Sequence, residues 1–212
     1  MIYLFGYGSL INDESRRSTC KNSSGSIPVQ ISKDFKYRRV WKYRSFNSNY
    51  TALTLEKVSL KKASTINGVL FQVSEKDIND FDNREQGYTK INIPIKYINT
   101  YQGFNNNLLP DTDNVYTYIS NNNNFKKASK AYPLKQNYID TCIIGCLNYG
   151  DEFVLDFLNN THKWSKYWIN NRNTNLLNVN KVRTYYKIDN LLHKNPKIKL
   201  NYRIDIIFIT KI

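Results

Sequence analysis

Short apolar stretches separated by polar turns recur along the first half of the chain, and they predict a protein rich in β-strands. The chain begins with one of them, Met-Ile-Tyr-Leu-Phe, which combines aromatic and β-branched residues. Further strands are predicted at residues 27–31, 35–43, 50–58, 65–73, 88–98 and 115–119. An antiparallel sheet is the simplest arrangement for the three strands between residues 27 and 58, because only short polar turns separate them.

Helical spacing of apolar positions predicts two core helices in the second half of the chain, at residues 136–147 and 151–158. Two shorter helices are predicted earlier, one capped by Asn12 and one that begins at Ser74 and ends beside Glu85. Gly87 suits a left-handed residue that stops this second helix. Near the C-terminus, residues 181–188 and 202–209 predict two more strands.

The first strand leads into Gly6-Tyr7-Gly8-Ser9-Leu10, the first stretch that suggests chemistry. Glycines without a Cβ adopt φ values closed to other residues and let a ligand approach the main chain closely. The N–H groups of such a turn, with the Ser9 hydroxyl, form a small set of donors suited to a carboxylate or a carbonyl oxygen. The turn lacks the third glycine and the Gly-Lys-Ser/Thr ending of a phosphate-binding loop.

The second stretch that suggests chemistry is Phe81-Asp82-Asn83-Arg84-Glu85-Gln86-Gly87-Tyr88, at the predicted junction of a helix with a strand. Together with Phe5-Gly6-Tyr7-Gly8-Ser9-Leu10, it resembles the γ-glutamylcyclotransferases, especially the branch that includes the ChaC-type enzymes. The resemblance covers residues 1–172. It implies an α+β fold, a small curved mixed or antiparallel sheet or barrel flanked by helices. Residues 173–212 are then a C-terminal extension, expected as two strands packed on the same domain.

The resemblance also implies an activity, the cyclisation of a γ-glutamyl group to 5-oxoproline with release of an amine or amino acid. It implies Glu85 as the acid/base and the turn Tyr7, Gly8, Ser9 and Leu10 as the holder of the γ-glutamyl group. Tyr88 and Arg39 are further candidates for substrate binding. For Tyr88 the residue by itself favours packing or a bond to the neighbouring main chain over substrate binding. Arg39 lies in an arginine-aromatic stretch that also resembles the family, and it suits either a substrate carboxylate or a structural role across the sheet.

One departure from the family changes the substrate expectation. Where ChaC-type enzymes have a longer Asp-His-Arg-Gly motif, this chain has Ser45-Phe46-Asn47-Ser48-Asn49. Glutathione is therefore expected to be a poor substrate, and γ-glutamyl amino acids or amines better ones. Two alternatives stay open: an enzyme acting on γ-glutamylamines such as γ-glutamyl-lysine, and a binding protein of the same fold without turnover.

Composition adds limits. The formal net charge is +14, but the chain is also rich in Asn, Lys, Ile and Tyr, a bias typical of AT-rich coding, so no specific nucleic-acid partner is predicted.

The three cysteines and two histidines lack metal-ligand spacing, and the cyclisation needs no cofactor. Cys142 and Cys146, four residues apart in an apolar helix, are predicted to be buried free thiols. No membrane segment or leader is recognised, which favours the cytoplasm and a monomer or homodimer with a small-molecule substrate.

Overall fold

The computed structural model describes residues 1–21, 23, 25–173 and 178–205, which contain both strands and helices. The strands of the described residues are β1 (Ile2–Gly6), β2 (Ile27–Ile31), β3 (Tyr37–Ser45), β4 (Tyr50–Lys57), β5 (Ile66–Val73), β6 (Tyr88–Asn92), β7 (Ile98–Thr100), β8 (Val115–Ser120), β9 (Leu134–Lys135), β10 (Thr161–His162), β11 (Trp168–Asn170) and β12 (Arg203–Asp205). The α-helices there are α1 (Asp13–Arg17), α2 (Ile78–Arg84), α3 (Gln136–Leu147), α4 (Asp151–Asn159) and α5 (Val179–His193).

The largest sheet has six strands in the order β6-β8-β1-β5-β2-β7. Strand β1 lies inside this sheet, antiparallel to β5 and parallel to β8, so the sheet is mixed. Two smaller sheets have the orders β10-β3-β4 and β12-β11-β9. The α+β architecture with open, curved sheets agrees with the expectation from the sequence. Because β1 is held on both edges, the glycine-containing turn that follows it begins from a rigid element.

The sequence predicts one antiparallel sheet for the three strands between residues 27 and 58, but the structure divides these strands between two sheets. Strand β2 pairs with β5 and β7, whereas β3 pairs with β4. A 3-10 turn at Lys33–Phe35 and a left-handed Lys36 (φ 61°) stand between β2 and β3. This turn redirects the chain into the second sheet, because a left-handed residue cannot continue an extended strand.

The predicted strand 88–98 is also shorter in the structure. Strand β6 ends at Asn92, and a 3-10 turn at Ile95–Tyr97 precedes β7. Pro94 lies at the break, where its missing N–H cannot contribute to a strand ladder. The isoleucines alternate in the sequence as they would in one strand, but the chain bends between them.

The main core lies between the large sheet and helices α3 and α4. Phe5 and Phe71 of the sheet are fully buried, as are Ile139, Ile143 and Phe153 of the helices. Cys142 and Cys146 are buried and unpaired, as predicted, so they pack as small apolar side chains. None of the described helices is long and apolar enough to cross a bilayer.

The prediction of a strand at residues 181–188 is wrong, because this segment lies within α5. The Asn178 side chain caps the helix by accepting from the Lys181 N–H at 2.9 Å. Its buried residues Ile188, Leu191 and Leu192 follow helical spacing and contact α3 and α4. The second predicted strand, 202–209, is described only to residue 205, and β12 (Arg203–Asp205) lies within it.

A charged network joins the C-terminal segment to helix α3. The Arg172 guanidinium donates twice to the Asp140 carboxylate of α3, at 2.7 and 2.6 Å, and once to Asp189 of α5 at 2.9 Å. Arg203 of β12 donates to the same Asp189 and to Gln136. Residues beyond 172 therefore fix the position of α3, which carries part of the candidate site.

Candidate active site

The glycine-containing turn presents free backbone donors. Residues Ser9–Ile11 form a 3-10 turn in which the N–H of Ile11 bonds the Gly8 carbonyl and that of Asn12 bonds the Ser9 carbonyl. Among the described residues, the N–H groups of Gly8, Ser9 and Leu10 have no acceptor, as expected for the first residues of a helical turn. The set of donors predicted from the sequence is therefore present.

Gly8 packs tightly against helix α3, and it does not have the positive φ that the sequence suggested. Its φ is −136°, and a Cβ added there would lie 3.1 Å from the Tyr138 hydroxyl. Helix α3 approaches the far end of the turn still more closely at Gly145, where a Cβ would lie 2.5 Å from the Asn12 nitrogen. Both contacts bring α3 against the turn.

Two buried arginines hold the turn from behind. Arg16 donates to the carbonyls of Leu10 and Ile11 at 2.8 and 2.9 Å, and Arg39 donates to the carbonyl of Tyr7 at 3.2 Å. Both guanidinium groups are almost completely buried. Because both arginines bond carbonyls on the buried side of the turn, the neighbouring N–H groups stay free on its other side.

Arg39 consequently lies outside the pocket, and the expectation that it meets a substrate carboxylate is corrected. Its guanidinium also donates to Thr161 Oγ1, the carbonyl and amide oxygens of Asn67, and the Phe157 carbonyl, which occupies all of its nitrogens. Burial lowers the pKa of Arg39 to about 10. The structural alternative for this residue, support across the sheet, is the one observed.

Glu85 lies at the junction of α2 and β6, where the sequence predicted it. Its N–H ends the helix on the Phe81 carbonyl, and its carbonyl accepts from the Tyr88 N–H, so the backbone is fixed on both sides. Gly87 lacks the predicted positive φ, and it is needed because a Cβ there would collide with the Tyr43 ring. Tyr43 in turn stacks on Tyr88 with ring centroids 3.9 Å apart.

Arg84 connects the two halves of the site. Its Nε lies 3.2 Å from Glu85 Oε1, and its Nη2 donates to Ser9 Oγ at 3.2 Å and to Ser15 Oγ at 2.9 Å. Its Nη1 donates to the Ser15 carbonyl and Thr19 Oγ1. From sequence, Arg84 looked like the partner of a surface ion pair. In the structure it ties the acid/base candidate to the glycine-containing turn.

The turn and Glu85 face one small pocket, here called the inner pocket, with an empty space of about 310 Å³ including the part open to solvent. Six of the seven site residues predicted from sequence line it, the exception being Arg39. Its walls are Phe5, Tyr7, Gly8, Ser9, Leu10, Leu53, Glu85, Tyr88, Thr117, Tyr118 and Tyr138.

The tyrosines of the inner pocket are neutral donors or acceptors. Burial raises the pKa of Tyr7, Tyr88, Tyr118 and Tyr138 above that of a free phenol, and the negative charge of Glu85 raises each further. Tyr7 donates to the Tyr118 carbonyl at 2.5 Å, and Tyr88 donates to the Leu53 carbonyl at 3.0 Å. These two hydroxyls are thus occupied by the protein's own backbone.

Glu85 is the wall residue suited to accept a proton near neutral pH. Burial raises the pKa of its carboxyl above the ordinary value, although the charge of Arg84 and its hydrogen bond oppose the increase. The side chain is only 14% exposed, which supports the desolvation. A raised pKa makes the carboxylate a stronger base than a glutamate in water.

Tyr138 of α3 is a site residue that the sequence analysis did not select. It lies in Tyr138-Ile139-Asp140, a stretch that resembles the family, and this was the available signal. Its side chain lines the inner pocket and also the wider space outside it. Its ring lies 5.9 Å from that of Trp41 and 5.5 Å from that of Tyr50.

A wider groove, here called the outer groove, adjoins the inner pocket and shares Ser9, Glu85, Tyr88 and Tyr138 with it. Its empty space is about 870 Å³ by the same measure. The turn between β3 and β4, where the sequence departs from the ChaC-type motif, forms part of the wall. The remaining lining residues are Tyr43, Ser45, Asn47, Ser48, Tyr50, Ala52, Asn83, Arg84, Gln86 and Gly87.

A cationic recess continues the outer groove beyond Tyr50. Lys135 lines it, donates to the Ser48 carbonyl at 2.7 Å and lies 5.3 Å from the centre of the Tyr50 ring. Arg84 is a second cation of its walls, which contain no carboxylate. Within the described part of the chain, no group of three or more His, Cys, Asp or Glu side chains is placed to hold a metal ion.

No protein-family model and no curated protein matches this sequence. Among solved structures, one named gamma-glutamyl cyclotransferase aligns over 89% of this chain and 98% of its own, with 13% identity and a TM-score of 0.53. The chain has a γ-glutamylcyclotransferase-like fold. An uncharacterised human protein aligns over 72% of this chain and 85% of its own, with 13% identity and a TM-score of 0.49. A yeast cyclotransferase described as specific to glutathione aligns over 99% of this chain and 92% of its own, with 14% identity and a TM-score of 0.43.

Proposed function

We propose that this protein is a γ-glutamylcyclotransferase-like enzyme that converts a γ-glutamyl compound to 5-oxoproline and a free amine or amino acid. The observation that supports this most strongly is the position of Glu85. A buried carboxylate with a raised pKa shares one small pocket with the unpaired N–H groups of Gly8, Ser9 and Leu10. A base and a set of oxyanion donors that line the same pocket suit an intramolecular acyl transfer.

In the proposed reaction the substrate supplies its own nucleophile. The α-amine attacks the γ-carbonyl carbon, a new C–N bond closes the five-membered ring, and the original γ-amide C–N bond breaks. Folding the substrate so that these atoms meet supplies roughly 7–11 kcal/mol of the barrier in well-oriented intramolecular reactions. The narrow inner pocket, walled by rigid aromatic side chains, would impose this folded conformation.

Glu85 would move the proton. The carboxylate takes a proton from the α-ammonium before the nitrogen attacks, and it gives that proton to the departing nitrogen. The ring nitrogen loses its second proton to the released amine, which leaves as an ammonium. The N–H groups of Gly8, Ser9 and Leu10 would donate to the carbonyl oxygen as it gains negative charge. The neutral tyrosines supply the dry walls and keep the carboxylate partly desolvated. Arg84 fixes the separation between base and donors, because it bonds both Glu85 and Ser9.

The outer groove favours a departing group that carries a carboxylate. Arg84 lines both the outer groove and the cationic recess that continues it, Lys135 lines the recess, and the carboxylate of the groove is Glu85, which faces the reaction. The departing part of a γ-glutamyl amino acid has a free carboxylate, whereas that of a simple γ-glutamylamine is neutral or cationic. We therefore propose γ-glutamyl amino acids as better substrates than γ-glutamylamines. Glutathione remains a predicted poor substrate.

A substrate panel tests the reaction. The purified chain is incubated with γ-glutamyl amino acids, glutathione, γ-glutamyl-ε-lysine and a γ-glutamyl alkylamine, and 5-oxoproline is measured by mass spectrometry. We expect 5-oxoproline from at least one γ-glutamyl amino acid at the highest rate. Binding of these compounds without any 5-oxoproline would contradict the enzyme and favour the binding-protein alternative. The highest rate with glutathione would contradict the substrate order alone.

Glu85→Gln tests the assigned base. The substitution keeps the size and one oxygen acceptor but removes the proton acceptor, so kcat should fall by roughly 10²-fold or more with little change in KM. Glu75→Gln, an exposed residue just before α2, is the matched control and should retain full activity. Full activity of Glu85→Gln together with reduced stability would make Glu85 a structural partner of Arg84 and refute the mechanism.

A further inference from the structure

A second cleft, with walls distinct from those of the inner pocket and outer groove, lies where the C-terminal segment meets the rest of the fold. One wall comes from the stretch around β11, with Trp164, Lys166 and Trp168. The other comes from residues 197–202, beyond the part of the chain that resembles the cyclotransferases. The empty space is about 500 Å³ by the measure used above. Nothing in the proposed reaction uses this cleft.

The charge of this cleft is entirely positive. Lys166, Lys197 and Lys199 line it together with Ser165 and Tyr202, and no acidic residue belongs to its walls. Lys197 Nζ donates to the Asn159 carbonyl at 2.9 Å, which leaves further N–H groups of that ammonium for another acceptor. In the described part of the chain, none of the three lysines forms an ion pair with a carboxylate.

The cleft also contains unpaired buried donors. The Nε1–H groups of Trp164 and Trp168 are buried and have no acceptor among the described residues. Trp168 is only 1% exposed, so bulk water does not solvate its indole. An indole nitrogen donates and never accepts, and a buried donor without a partner costs free energy. The cleft therefore has three ammonium groups and no carboxylate in its walls, and two of its lining side chains carry unpaired donors.

We propose that this cleft binds a small organic oxyanion, a molecule carrying a phosphate or carboxylate group. The three lysines would select negative charge, and a charged oxygen is the acceptor that forms the strongest hydrogen bonds with such donors. The Trp164 and Trp168 side chains that line the same cleft keep the local dielectric low, which strengthens the attraction. Tyr202, 41% exposed at the cleft, provides a ring face for the organic part of the ligand.

The aromatic wall gives the binding a direct optical readout. The Trp168 and Trp164 rings lie 5.6 Å apart, Trp164 and Trp41 lie 5.1 Å apart, and Trp41 lies 5.9 Å from Tyr138. The sequence contains three tryptophans, so its entire tryptophan fluorescence arises from this packed series. An oxyanion that contacts two of the three indoles should change the emission, and the readout does not depend on turnover.

The test titrates the full chain with inorganic phosphate, glycerol phosphate and citrate at constant ionic strength, with chloride as the ionic control. We expect a saturable change in tryptophan emission with at least one probe and none with chloride; the comparison of phosphates with citrate identifies the preferred group. Lys166→Gln/Lys199→Gln should weaken the affinity by about tenfold or more, since charge-assisted bonds are lost. Lys61→Gln/Lys62→Gln removes the same charge from exposed positions outside the cleft and should leave the affinity unchanged.

Three results would overturn the proposal. The first is the absence of a saturable change with every oxyanion at millimolar concentration. The second is an equal loss of affinity in both double variants, which would mean that only the net charge matters. Arg84→Gln separates the cleft from the outer groove, because anion binding near Arg84 would be weakened by that change. We expect Arg84→Gln to bind the oxyanion as the wild type does, and a large loss of affinity there would place the anion in the outer groove and refute the cleft.

Discussion

Replacing Arg84 by Gln should move the pH at which the proposed cyclotransferase activity is lost. Arg84 Nε lies 3.2 Å from Glu85 Oε1, and its positive charge favours the ionised carboxylate. Burial already raises the pKa of Glu85, and Arg84 acts against that increase. Without the arginine, the pKa of Glu85 should rise further. Because the reaction needs the carboxylate as a base, the acidic limb of the pH profile should move to higher pH.

The expected shift is about one pH unit. An adjacent opposite charge typically lowers the pKa of a carboxyl group by about 1–3 units. The Arg84 side chain is 24% exposed, so water screens part of its field, and the lower end of that range applies. One pKa unit corresponds to about 1.4 kcal/mol in favour of the protonated carboxyl.

The measurement is the pH dependence of kcat/KM, which reports ionisations of the free enzyme. A carbon-13 NMR titration of the Glu85 carboxyl gives the same pKa without turnover. Arg84→Lys is the informative companion, because it keeps the charge but loses the guanidinium fork that bonds Ser9, Ser15 and Thr19. Arg84→Lys should lower kcat but leave the acidic limb of the pH profile at nearly the same pH as in the wild type.

The control is Arg17→Gln on helix α1, an arginine that is 56% exposed and pairs with Asp13. It should leave both the rate and the acidic limb unchanged. An acidic limb that stays in place in Arg84→Gln, or moves to lower pH, would refute the electrostatic role given to Arg84. A pKa of Glu85 unchanged in the NMR titration would do the same, whatever the rates.

Two further predictions concern stability. Arg172→Met should lower the free energy of unfolding by about 3–5 kcal/mol, measured by urea denaturation, because Asp140 stays buried without its charged partner. A loss below about 1 kcal/mol would contradict the burial of this pair. Gly145→Ala should lower the free energy of unfolding by about 1–3 kcal/mol and also reduce 5-oxoproline formation, because the new methyl group meets the Asn12 backbone at the end of the turn. Unchanged stability would show that α3 does not pack closely there.

The local elements around the site were predictable from sequence, because each has a short-range cause. Strand β1 follows from an apolar run that stops at glycine, and the α1 cap follows from Asn12, whose side chain accepts from the Ser15 N–H at 2.9 Å. The junction at Glu85 follows from a short amphipathic helix next to an alternating strand. Helices α3 and α4 have helical spacing and matched their predicted bounds within one residue.

Helix α5 shows where local propensity fails. Residues 181–188 contain β-branched and aromatic side chains, which favour a strand when that window is taken alone. The helical spacing becomes visible only when Ile188, Leu191 and Leu192 are taken together, and their burial against α3 and α4 selects the helix. Tertiary packing regularly outweighs a weak propensity of this kind.

The sequence by itself determined the two halves of the site, the glycine-containing turn and Glu85, because the chemistry of each lies within a few consecutive residues. Only the tertiary structure decided what holds them together. Nothing in the local sequence distinguishes the roles of Arg16, Arg39 and Arg84, and most arginines in proteins are exposed to solvent. In the fold, the first two support the turn from the core and the third joins the turn to Glu85. Arg16 reaches carbonyls only five and six residues away, but the roles of Arg39 and Arg84 depend on carbonyls and hydroxyls brought near them by distant parts of the chain. Such long-range contacts leave no local signal in the sequence.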